Sequence, residues 1–328
     1  MCRCVKQGAY GVDLNELAYR AARLYYLEGL TQQQIASQLG ISRSKVSRLL
    51  AYAREVGMVE IKLKAPGIRS ERFLSDFLKE RLGLKEVVVA EATERDEEHI
   101  LEKIAKAGSE YISKVLKNGQ IVGWGWGRTM YKTVHALRND GEPHFSSIFI
   151  PLIGGAGQSA RHYQVNSLVE RAAEIFKAQV MYLNAPAFFA DKNTLELFLK
   201  EKQVSNVLEM WKKLDIAIFG LGKPVYDSEI IRSEIDSSII MDLLREKAVG
   251  DILARFFNPS GKICSSTLNE LIFGIGMDDL LKVPTRICLC GGEKKVDGII
   301  TASKEGYLNV LVIDSITANT VLNRLKGE

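Results

Sequence analysis

Hydrophobic positions in residues 14–57 recur with the period of amphipathic helices, and glycines interrupt the pattern. In the first segment, the apolar residues that share one helix face are Leu14, Leu17, Ala18, Ala21, Leu24 and Tyr25. A second helix is predicted to begin after Thr31, because Thr31 and Gln34 have the spacing of a capping box. Ser42 can cap a third helix. The pattern therefore predicts three short helices near the N-terminus.

The pattern changes after the third helix. Residues 58–64 alternate apolar and polar side chains, which is typical of a half-exposed strand and would form a wing beside the helices. The segment Ala65-Pro66-Gly67 then favours a turn. We therefore expect a winged, helical N-terminal domain over residues 1–66 and a larger domain over residues 67–328.

Two short helices joined by a glycine-containing turn have the arrangement of a helix-turn-helix, whose second helix enters the major groove of DNA. The polar residues predicted to face the groove from the third helix and its cap are Ser42, Arg43, Ser44, Lys45, Ser47 and Arg48. Gln32 and Gln33 start the preceding helix, where backbone amides and polar side chains can hold a phosphate. These residues are the predicted contacts to double-stranded operator DNA.

Basic residues are concentrated in the same part of the chain. The whole protein has 44 Lys and Arg against 40 Asp and Glu, a formal net charge of +4. Residues 1–64 hold ten of the basic and five of the acidic residues. The remaining 264 residues therefore hold 34 basic and 35 acidic residues. A basic module attached to a balanced domain favours binding of a polyanion by the module. The alternative is a basic three-helix packing module that binds no DNA.

Composition excludes several other classes of protein. With 46% hydrophobic and 26% charged residues, the chain can bury a core and is neither disordered nor fibrous. No run approaches about 18 consecutive apolar residues, so no membrane span is expected. The absence of a secretory signal and the odd number of cysteines, five, favour a cytoplasmic location. Cys288 and Cys290 lack a second pair of Cys or His ligands, so we expect buried thiols and no metal.

From residue 69 onward, short runs rich in Val and Ile alternate with amphipathic segments such as 99–116 and 165–177. The apolar runs lie near residues 86–90, 120–124, 147–153, 179–183, 215–221, 286–290 and 309–313. This alternation predicts βαβ units and an α/β domain with a mostly parallel sheet. Ligands of such sheets bind at the carboxyl ends of the strands, so the loops that follow the strands are the candidate sites.

Two glycine-rich loops follow predicted strands. The ligand-binding residues predicted in the first are Gly125, Gly127, Arg128 and Thr129. Those predicted in the second and its polar continuation are Gly154, Gly155, Gln164 and Asn166. Free amides at a helix start and a guanidinium suit a phosphate, and amide side chains suit a polyol. The glycine motifs of dinucleotide and nucleoside-triphosphate sites are both missing, and no cofactor is predicted.

Further candidate strand ends add three residues. Gly220 follows an apolar run, and Lys295 lies after two glycines at a predicted helix start, a position that favours an anion. Residues 249–251 are interpreted as another strand end. The carboxylate of Asp251 could accept hydrogen bonds from sugar hydroxyls or could cap a helix, and both alternatives remain open.

Motifs in a fixed order carry a resemblance to a known family. One is the helix-turn-helix segment 30–50. The others are Gly123-x-Gly125-Trp126-Gly127-x-Thr129, Pro151-Leu152-x-Gly154-Gly155, Gly250-Asp251-Ile252-x-x-Arg255-Phe256-Phe257, Gly291-Gly292-x-x-Lys295 and Asn309-Val310-Leu311-Val312-Ile313-Asp314. Over roughly residues 14–325 the chain resembles the SorC family of bacterial sugar-responsive regulators, in the DeoR-like branch that responds to deoxyribonucleosides and sugars.

The resemblance implies more than the residues alone do. It implies an effector domain similar to sugar-phosphate isomerases of the NagB/RpiA type, a sugar, polyol or phosphosugar effector, and a homodimer or homotetramer. Carried over position by position, it implies effector contacts from the loop of Arg128 and Thr129 and from Gln164, Asn166, Asp251 and Lys295.

The predicted function is a DNA-binding transcriptional regulator of a carbohydrate operon, whose operator affinity is switched by the effector. The alternative is a sugar-phosphate isomerase-like enzyme that carries a DNA-binding module. Asp251 and Lys295 are the one pair we can nominate for acid–base chemistry, and their spacing supports no catalytic motif, so no enzyme is predicted. A nucleic-acid-binding protein without an effector is disfavoured by the balanced charge of the large domain.

Overall fold

The computed structural model describes residues 14–59, 70–157, 162, 164–225, 234–264 and 266–327. The chain divides into two compact units, residues 1–68 and residues 69–328. The predicted domain boundary at residue 66 and most of the predicted wing, residues 60–64, lie outside the described residues. Both stay predictions.

Over residues 14–59, the described part of the N-terminal unit, the chain forms three helices, as the periodicity predicts: α1 (Leu14–Tyr26), α2 (Gln32–Leu39) and α3 (Arg43–Glu55). Both predicted caps are present. Thr31 N donates to Gln34 Oε1 at 2.9 Å and Gln34 N donates to Thr31 Oγ1 at 3.3 Å, which completes the capping box. Lys45 N donates to Ser42 Oγ at 3.2 Å. These bonds satisfy amides that have no partner inside the helix.

The facing sides of the three helices enclose a small apolar core. It consists of Ala18, Ala21, Ala22, Leu24, Ile35, Ala36, Val46, Leu49, Leu50 and Ala53. The predicted buried face of α1 is wrong at its ends, since Leu14 is 53% exposed and Tyr25 is 38% exposed. The buried residues of α1 lie between positions 18 and 24, so the central part of the helix packs and its ends extend past the core.

The C-terminal unit contains all the described strands. They are β1 (Glu86–Ala90), β2 (Ile121–Trp124), β3 (Ile148–Pro151), β4 (Gln179–Val180), β5 (Ile216–Gly220), β6 (Gly250–Ile252), β7 (Arg255–Phe257), β8 (Thr285–Leu289) and β9 (Val310–Asp314). Seven of them form one parallel sheet in the order β1-β9-β8-β5-β2-β3-β4. Each of the seven predicted apolar runs supplies one of these strands, which confirms the α/β prediction.

Helices connect and cover the strands. They are α4 (Glu71–Leu82), α5 (Glu97–Val115), α6 (Arg128–Ala136), α7 (Val165–Phe176), α8 (Lys192–Phe198), α9 (Lys202–Trp211), α10 (Ser237–Arg245), α11 (Ser266–Asn269), α12 (Met277–Lys282), α13 (Val296–Lys304) and α14 (Ser315–Gly327). A 3₁₀ turn, Glu293–Lys295, precedes α13. The predicted amphipathic segments correspond to α5 and α7. None of the described helices has the length and apolar character needed to cross a membrane.

The strand order reverses between β2 and β5, which are neighbours in the sheet. From β2 the chain continues to β3 and β4 on one side, and from β5 it continues to β8 and β9 on the other. In open α/β sheets such a switch point leaves a crevice at the carboxyl ends of the strands, where ligands bind. The loops after β2, β5 and β8 therefore border the expected binding region.

Strands β6 and β7 form an antiparallel hairpin outside the main sheet. Its two-residue turn places Leu253 at φ 53° and Ala254 at φ 65°. Turns with positive φ at both central residues normally carry Gly, Asn or Asp, so Leu253 and Ala254 do not predict this hairpin. The interpretation of residues 249–251 as a strand end is wrong, because Gly250 and Asp251 begin β6.

Candidate DNA-binding surface and effector site

The start of α3 presents polar side chains on the side opposite its buried face. Val46, Leu49 and Leu50 are buried in the core of the N-terminal unit. All the residues predicted to face DNA from this helix and its cap are exposed: Ser42, Arg43, Ser44, Lys45, Ser47 and Arg48. Within the part of the chain that the structure describes, the three basic side chains among them form no ion pair. Their charges are therefore available to an external partner.

Gln32 and Gln33, the predicted DNA contacts in α2, line the same groove as Arg43. The groove has a volume of about 610 Å³ and is lined by the end of α1, the turn after it and the starts of α2 and α3. Gln32 is partly buried and Gln33 is exposed. Tyr25, which the helical period assigns to the core, lines this groove instead. The structure thus adds an aromatic side chain that the sequence pattern missed.

In the C-terminal unit, loops after three strands bring cations toward one carboxylate, that of Glu97 at the start of α5. Arg128 follows β2 and donates from Nη1 to Glu97 Oε1 at 3.0 Å. Lys223 follows β5 and donates from Nζ to Glu97 Oε2 at 3.0 Å. Burial alone would raise the pKa of Glu97, but the Lys223 hydrogen bond and the charges of Lys223, Arg128 and Lys295 together lower it.

Lys295, after β8, is the most buried of these three cations. It is 8% exposed, and no described residue forms an ion pair or hydrogen bond with its ammonium group. Burial lowers the pKa of Lys295, and the charge of Lys223 acts in the same direction. The neighbouring Cys290 and Cys288 and, to a smaller extent, Asp251 offset this only in part. Partial burial of an ammonium group that has no protein partner is unfavourable in free energy, so the position is suited to receive an anion.

Asp251 lies in the hairpin beside this group of cations. Its Oδ2 accepts from Ala254 N at 3.1 Å, and its main-chain oxygen accepts from Gly222 N at 2.8 Å. The side chain therefore closes the hairpin turn, and the predicted alternative of a helix cap is wrong. Burial raises the pKa of Asp251 to about 6, although the amide of Ala254 and the charge of Lys295 act in the opposite direction.

A cavity of about 230 Å³ lies between the start of α5 and the loops after β5 and β8. Its polar lining includes Arg95, Glu97, Lys223 and Lys295, and Ile100 contributes to its apolar lining. Glu97 and Lys223 were absent from the predicted site. Lys223 stands two residues beyond the predicted strand 215–221, which is a signal that sequence reasoning could have used.

The first glycine-rich loop connects β2 to α6. Its glycine amides donate to backbone oxygens, from Gly125 N to Ile218 O at 2.8 Å and from Gly127 N to His162 O at 2.9 Å. No side chain caps the first turn of α6, so the amides at this helix start remain available to a ligand. Thr129, in that turn, is only 7% exposed.

Comparisons with known proteins agree with this architecture. Residues 69–323 match the protein family described as "Putative sugar-binding domain", and residues 14–56 match region 4 of sigma-70. The chain is 34% identical over 313 residues to the deoxyribonucleoside regulator of Bacillus subtilis (strain 168), covering 95% of this chain and 99% of that protein. It is 32% identical over 308 residues to the sorbitol operon regulator of Klebsiella pneumoniae, covering 93% of this chain and 97% of that protein.

A solved structure is similar over the same extent. The crystal structure of the full-length sorbitol operon regulator SorC from Klebsiella pneumoniae has a TM-score of 0.72 and 31% identity, covering 94% of this chain and 99% of that chain. The protein belongs to the SorC family of transcriptional regulators. The resemblance predicted from the motifs is confirmed, as is the prediction of a regulator with a DNA-binding helix-turn-helix and a sugar-binding domain.

In this SorC-family chain, the second predicted loop lies at a separate cavity of about 280 Å³, whose lining includes Gly155, Gln164 and Asn166. Asn166 Nδ2 donates to Leu183 O at 3.0 Å, and Leu183 N donates back to Asn166 Oδ1 at 3.0 Å. Gln164 Nε2 donates to the carbonyl oxygen of residue 157 at 3.0 Å. These amides hold backbone segments together, so their role as effector contacts stays a prediction.

Gly154 and Gly220, the remaining predicted residues, differ in how closely they are packed. A Cβ on Gly154 would lie 2.4 Å from Pro186 O, which only glycine avoids. Gly220 ends β5, next to the switch point. Backbone packing accounts for Gly154, whereas a Cβ on Gly220 would lie at an ordinary contact distance of 3.7 Å from Leu289 O. Direct contact with an effector stays a prediction for both glycines.

The paired cysteines of the SorC-family domain lie at the end of β8. Cys288 and Cys290 are both fully buried, and their sulfur atoms are 3.7 Å apart. Burial, together with the neighbouring Cys290, raises the pKa of the Cys288 thiol. The prediction of buried thiols is confirmed. Among the described residues, no group of three or more His, Cys, Asp or Glu is placed to hold a metal ion.

Proposed function

We propose that this SorC-family regulator binds operator DNA through the start of α3 and responds to an anionic sugar derivative, most simply a phosphosugar. The observation that carries the proposal is Lys295, a largely buried lysine that lines the cavity beside Lys223 and whose ammonium group has no partner among the described residues. Burial of most of this side chain disfavours its charged form, and an anionic ligand would offset that cost. The effector site therefore lies at the carboxyl ends of β2, β5 and β8.

A phosphate monoester fits this site better than a neutral polyol does. Lys223 and Lys295 line the cavity, and ammonium groups bind phosphate oxygens in proteins. The start of α6, after the neighbouring strand β2, offers further amides that no side chain of its N-cap residue bonds. Asp251 offers a carboxylate that could accept hydrogen bonds from sugar hydroxyls. Two relatives are named for a sorbitol operon and for deoxyribonucleosides, and a sugar or polyol backbone is compatible with such a hydroxyl acceptor.

On the DNA side, we propose that Arg43, Lys45 and Arg48 contact bases and phosphates, with Gln32 and Gln33 on the backbone. We further propose a homodimer or homotetramer, because paired helix-turn-helix units read half-sites about one helical turn apart or at multiples of it. The effector can alter operator affinity only through its different affinity for two arrangements of the assembly. Such coupling is typically about 1–3 kcal/mol.

The proposal includes no catalytic activity. Relatives that cover nearly the whole chain are named as regulators, which supports a binding role for Asp251 and Lys295. Turnover of any phosphosugar by the purified protein, abolished by Asp251→Ala, would instead support the isomerase-like alternative.

The test measures operator binding and effector binding together. A duplex that the wild-type protein selects from a random pool serves as the DNA probe, and fluorescence anisotropy follows its binding with and without a panel of sugars, polyols and their phosphate esters. We expect one phosphate ester to shift the Kd for the duplex in the wild type but not in Lys295→Met. Lys212→Met, at an exposed lysine before β5, is the control and should respond as the wild type does. Equal responses in all three proteins would place the effector elsewhere.

A further inference from the structure

The proposed effector site already holds a carboxylate of the protein. Glu97 Oε1 lies 3.0 Å from Arg128 Nη1 and 2.8 Å from Lys223 Nζ, and its Oε2 also accepts from Lys223. Carboxylate oxygens bound by a guanidinium and an ammonium have the same partners that phosphate oxygens take in anion sites. Glu97 therefore occupies the position of an anionic ligand with respect to Arg128 and Lys223.

Further ion pairs fasten the start of α5 to the surrounding loops. Glu98 Oε2 accepts from Arg128 Nη2 at 3.3 Å, and its other oxygen pairs with Lys132 of α6. Just before the helix, Arg95 pairs with Glu293 in the loop after β8. The first turn of α5 is thus joined by charge to the loops after β2, β5 and β8, which are the loops that form the proposed effector site.

We propose that Glu97 is an internal competitor of the effector, whose anionic group takes Arg128 and Lys223 from this carboxylate and so releases the first turn of α5. This inference rests on the proposed function, since it concerns the same site. It identifies Glu97 as the residue that sets how strongly an anion must bind in order to occupy the site.

Replacement of Glu97 by an external anion is favourable because the ion pairs of Glu97 with Arg128 and Lys223 are partly exposed and leave Lys295 without an ion pair. The side chains of Glu97, Arg128 and Lys223 are 49%, 42% and 27% exposed, and ion pairs with this exposure contribute little to stability. Glu97 carries one negative charge, whereas a phosphate monoester carries about 1.5 to 2 near neutral pH. A phosphate could also pair with Lys295, which Glu97 leaves without an ion pair.

Release of Glu97 would have structural consequences within the C-terminal unit. Helix α5 packs along α6 and against β1, β8 and β9. A change at the first turn of α5 therefore reaches its contact with α6, and this gives effector binding a route to the rest of the fold. The expected signature is weaker protection of the first-turn amides when the anion is bound.

The test uses inorganic phosphate as the anionic probe and sorbitol as the neutral probe, each titrated calorimetrically into the full-length protein. Glu97→Gln should bind phosphate about tenfold more tightly than the wild type, because it no longer holds the cations as a charged competitor. Sorbitol binding should not change. Glu102→Gln, which removes a 64% exposed carboxylate from the same helix, is the matched control and should leave both affinities unchanged.

Hydrogen exchange supplies a second measurement. Saturating phosphate should raise the exchange rate of amides 98–101 in the wild type, and Glu97→Gln should show the raised rate without phosphate. If Glu97→Gln binds phosphate no more tightly while Lys295→Met loses binding, Glu97 is not a competitor although the anion site stands. If neither variant alters phosphate affinity, or the wild type binds none, the proposed effector site itself is wrong.

Discussion

The carboxylate of Asp251 occupies the space that a side chain on Gly222 would need. A Cβ on Gly222 would lie 1.6 Å from Asp251 Oδ1, and Gly222 N donates to the main-chain oxygen of Asp251 at 2.8 Å. The loop after β5 therefore rests directly on the hairpin of β6 and β7. Since Lys223 is the next residue, this contact sets the relative positions of Asp251 and Lys223 in the proposed effector site.

Gly222→Ala should accordingly disturb both stability and effector binding. We expect a loss of about 1–3 kcal/mol in the free energy of unfolding, because the added methyl group forces Asp251 or the loop to move. Phosphate affinity should fall as well, since Lys223 moves with the loop. Urea unfolding and calorimetric titration check the two effects.

The control for this change is Gly276→Ala. Gly276 has φ −71°, and a Cβ there has no heavy atom within 4 Å. Gly276 is the N-cap residue of α12, so its change to Ala should cost no more than about 1 kcal/mol, which is less than the loss expected for Gly222→Ala. If the two alanine variants unfold at the same urea concentration, Asp251 does not restrict the residue at position 222.

Asp251 should also give the protein a specific dependence on pH. Burial raises its pKa to about 6 in the folded state, against a usual value of 3.8. The carboxyl group therefore favours the folded state at pH values below about 4, and this contribution is lost as the pH rises through about 6. Asp251→Asn, which cannot ionise, should be more stable than the wild type above pH 6, by at most about 3 kcal/mol.

The gain from Asp251→Asn should shrink as the pH falls from 6 toward 4, because protonation of the folded and then of the unfolded carboxyl group, whose usual pKa is 3.8, removes the difference between the two states. Urea unfolding at several pH values between 4 and 8 measures this difference. Asp242→Asn, at an exposed aspartate of α10 that pairs with Arg245, should lack such a trend. A stability difference between Asp251→Asn and wild type that is the same at all pH values would contradict the raised pKa.

The sheet and the helix-turn-helix could be predicted because their signals are local. A parallel strand buried on both faces is a short apolar run, and β9, buried along its whole length, is such a run. Thr31 and Ser42 form caps with amides three residues away, so a few adjacent residues contain the whole pattern. In contrast, the turn at Leu253 and Ala254 has no residue that favours positive φ, and the hairpin was missed.

The candidate effector site was harder to predict because its contacts are distant in sequence. Glu97 lies among several charged residues, and nothing near it distinguishes the carboxylate that meets Lys223, which is 126 positions away. Asn166 shows the opposite difficulty. An amide side chain suits a polyol, but the same group can hold backbone, as Asn166 does with Leu183, and composition does not separate the two roles.

The exposed basic side chains at the start of α3 should determine operator affinity. Arg43→Ala and Arg48→Ala should each weaken binding of the selected duplex by about 1–3 kcal/mol if the side chain reads a guanine, and should leave the melting temperature unchanged. A residue that meets only phosphate would weaken all duplexes alike and reduce the salt dependence of binding. Arg54→Ala, in the last turn of the same helix, is the control and should have a smaller effect, because that turn lies far from the groove at Arg43. An unchanged Kd in both Arg43→Ala and Arg48→Ala would mean that another surface of the unit contacts the DNA.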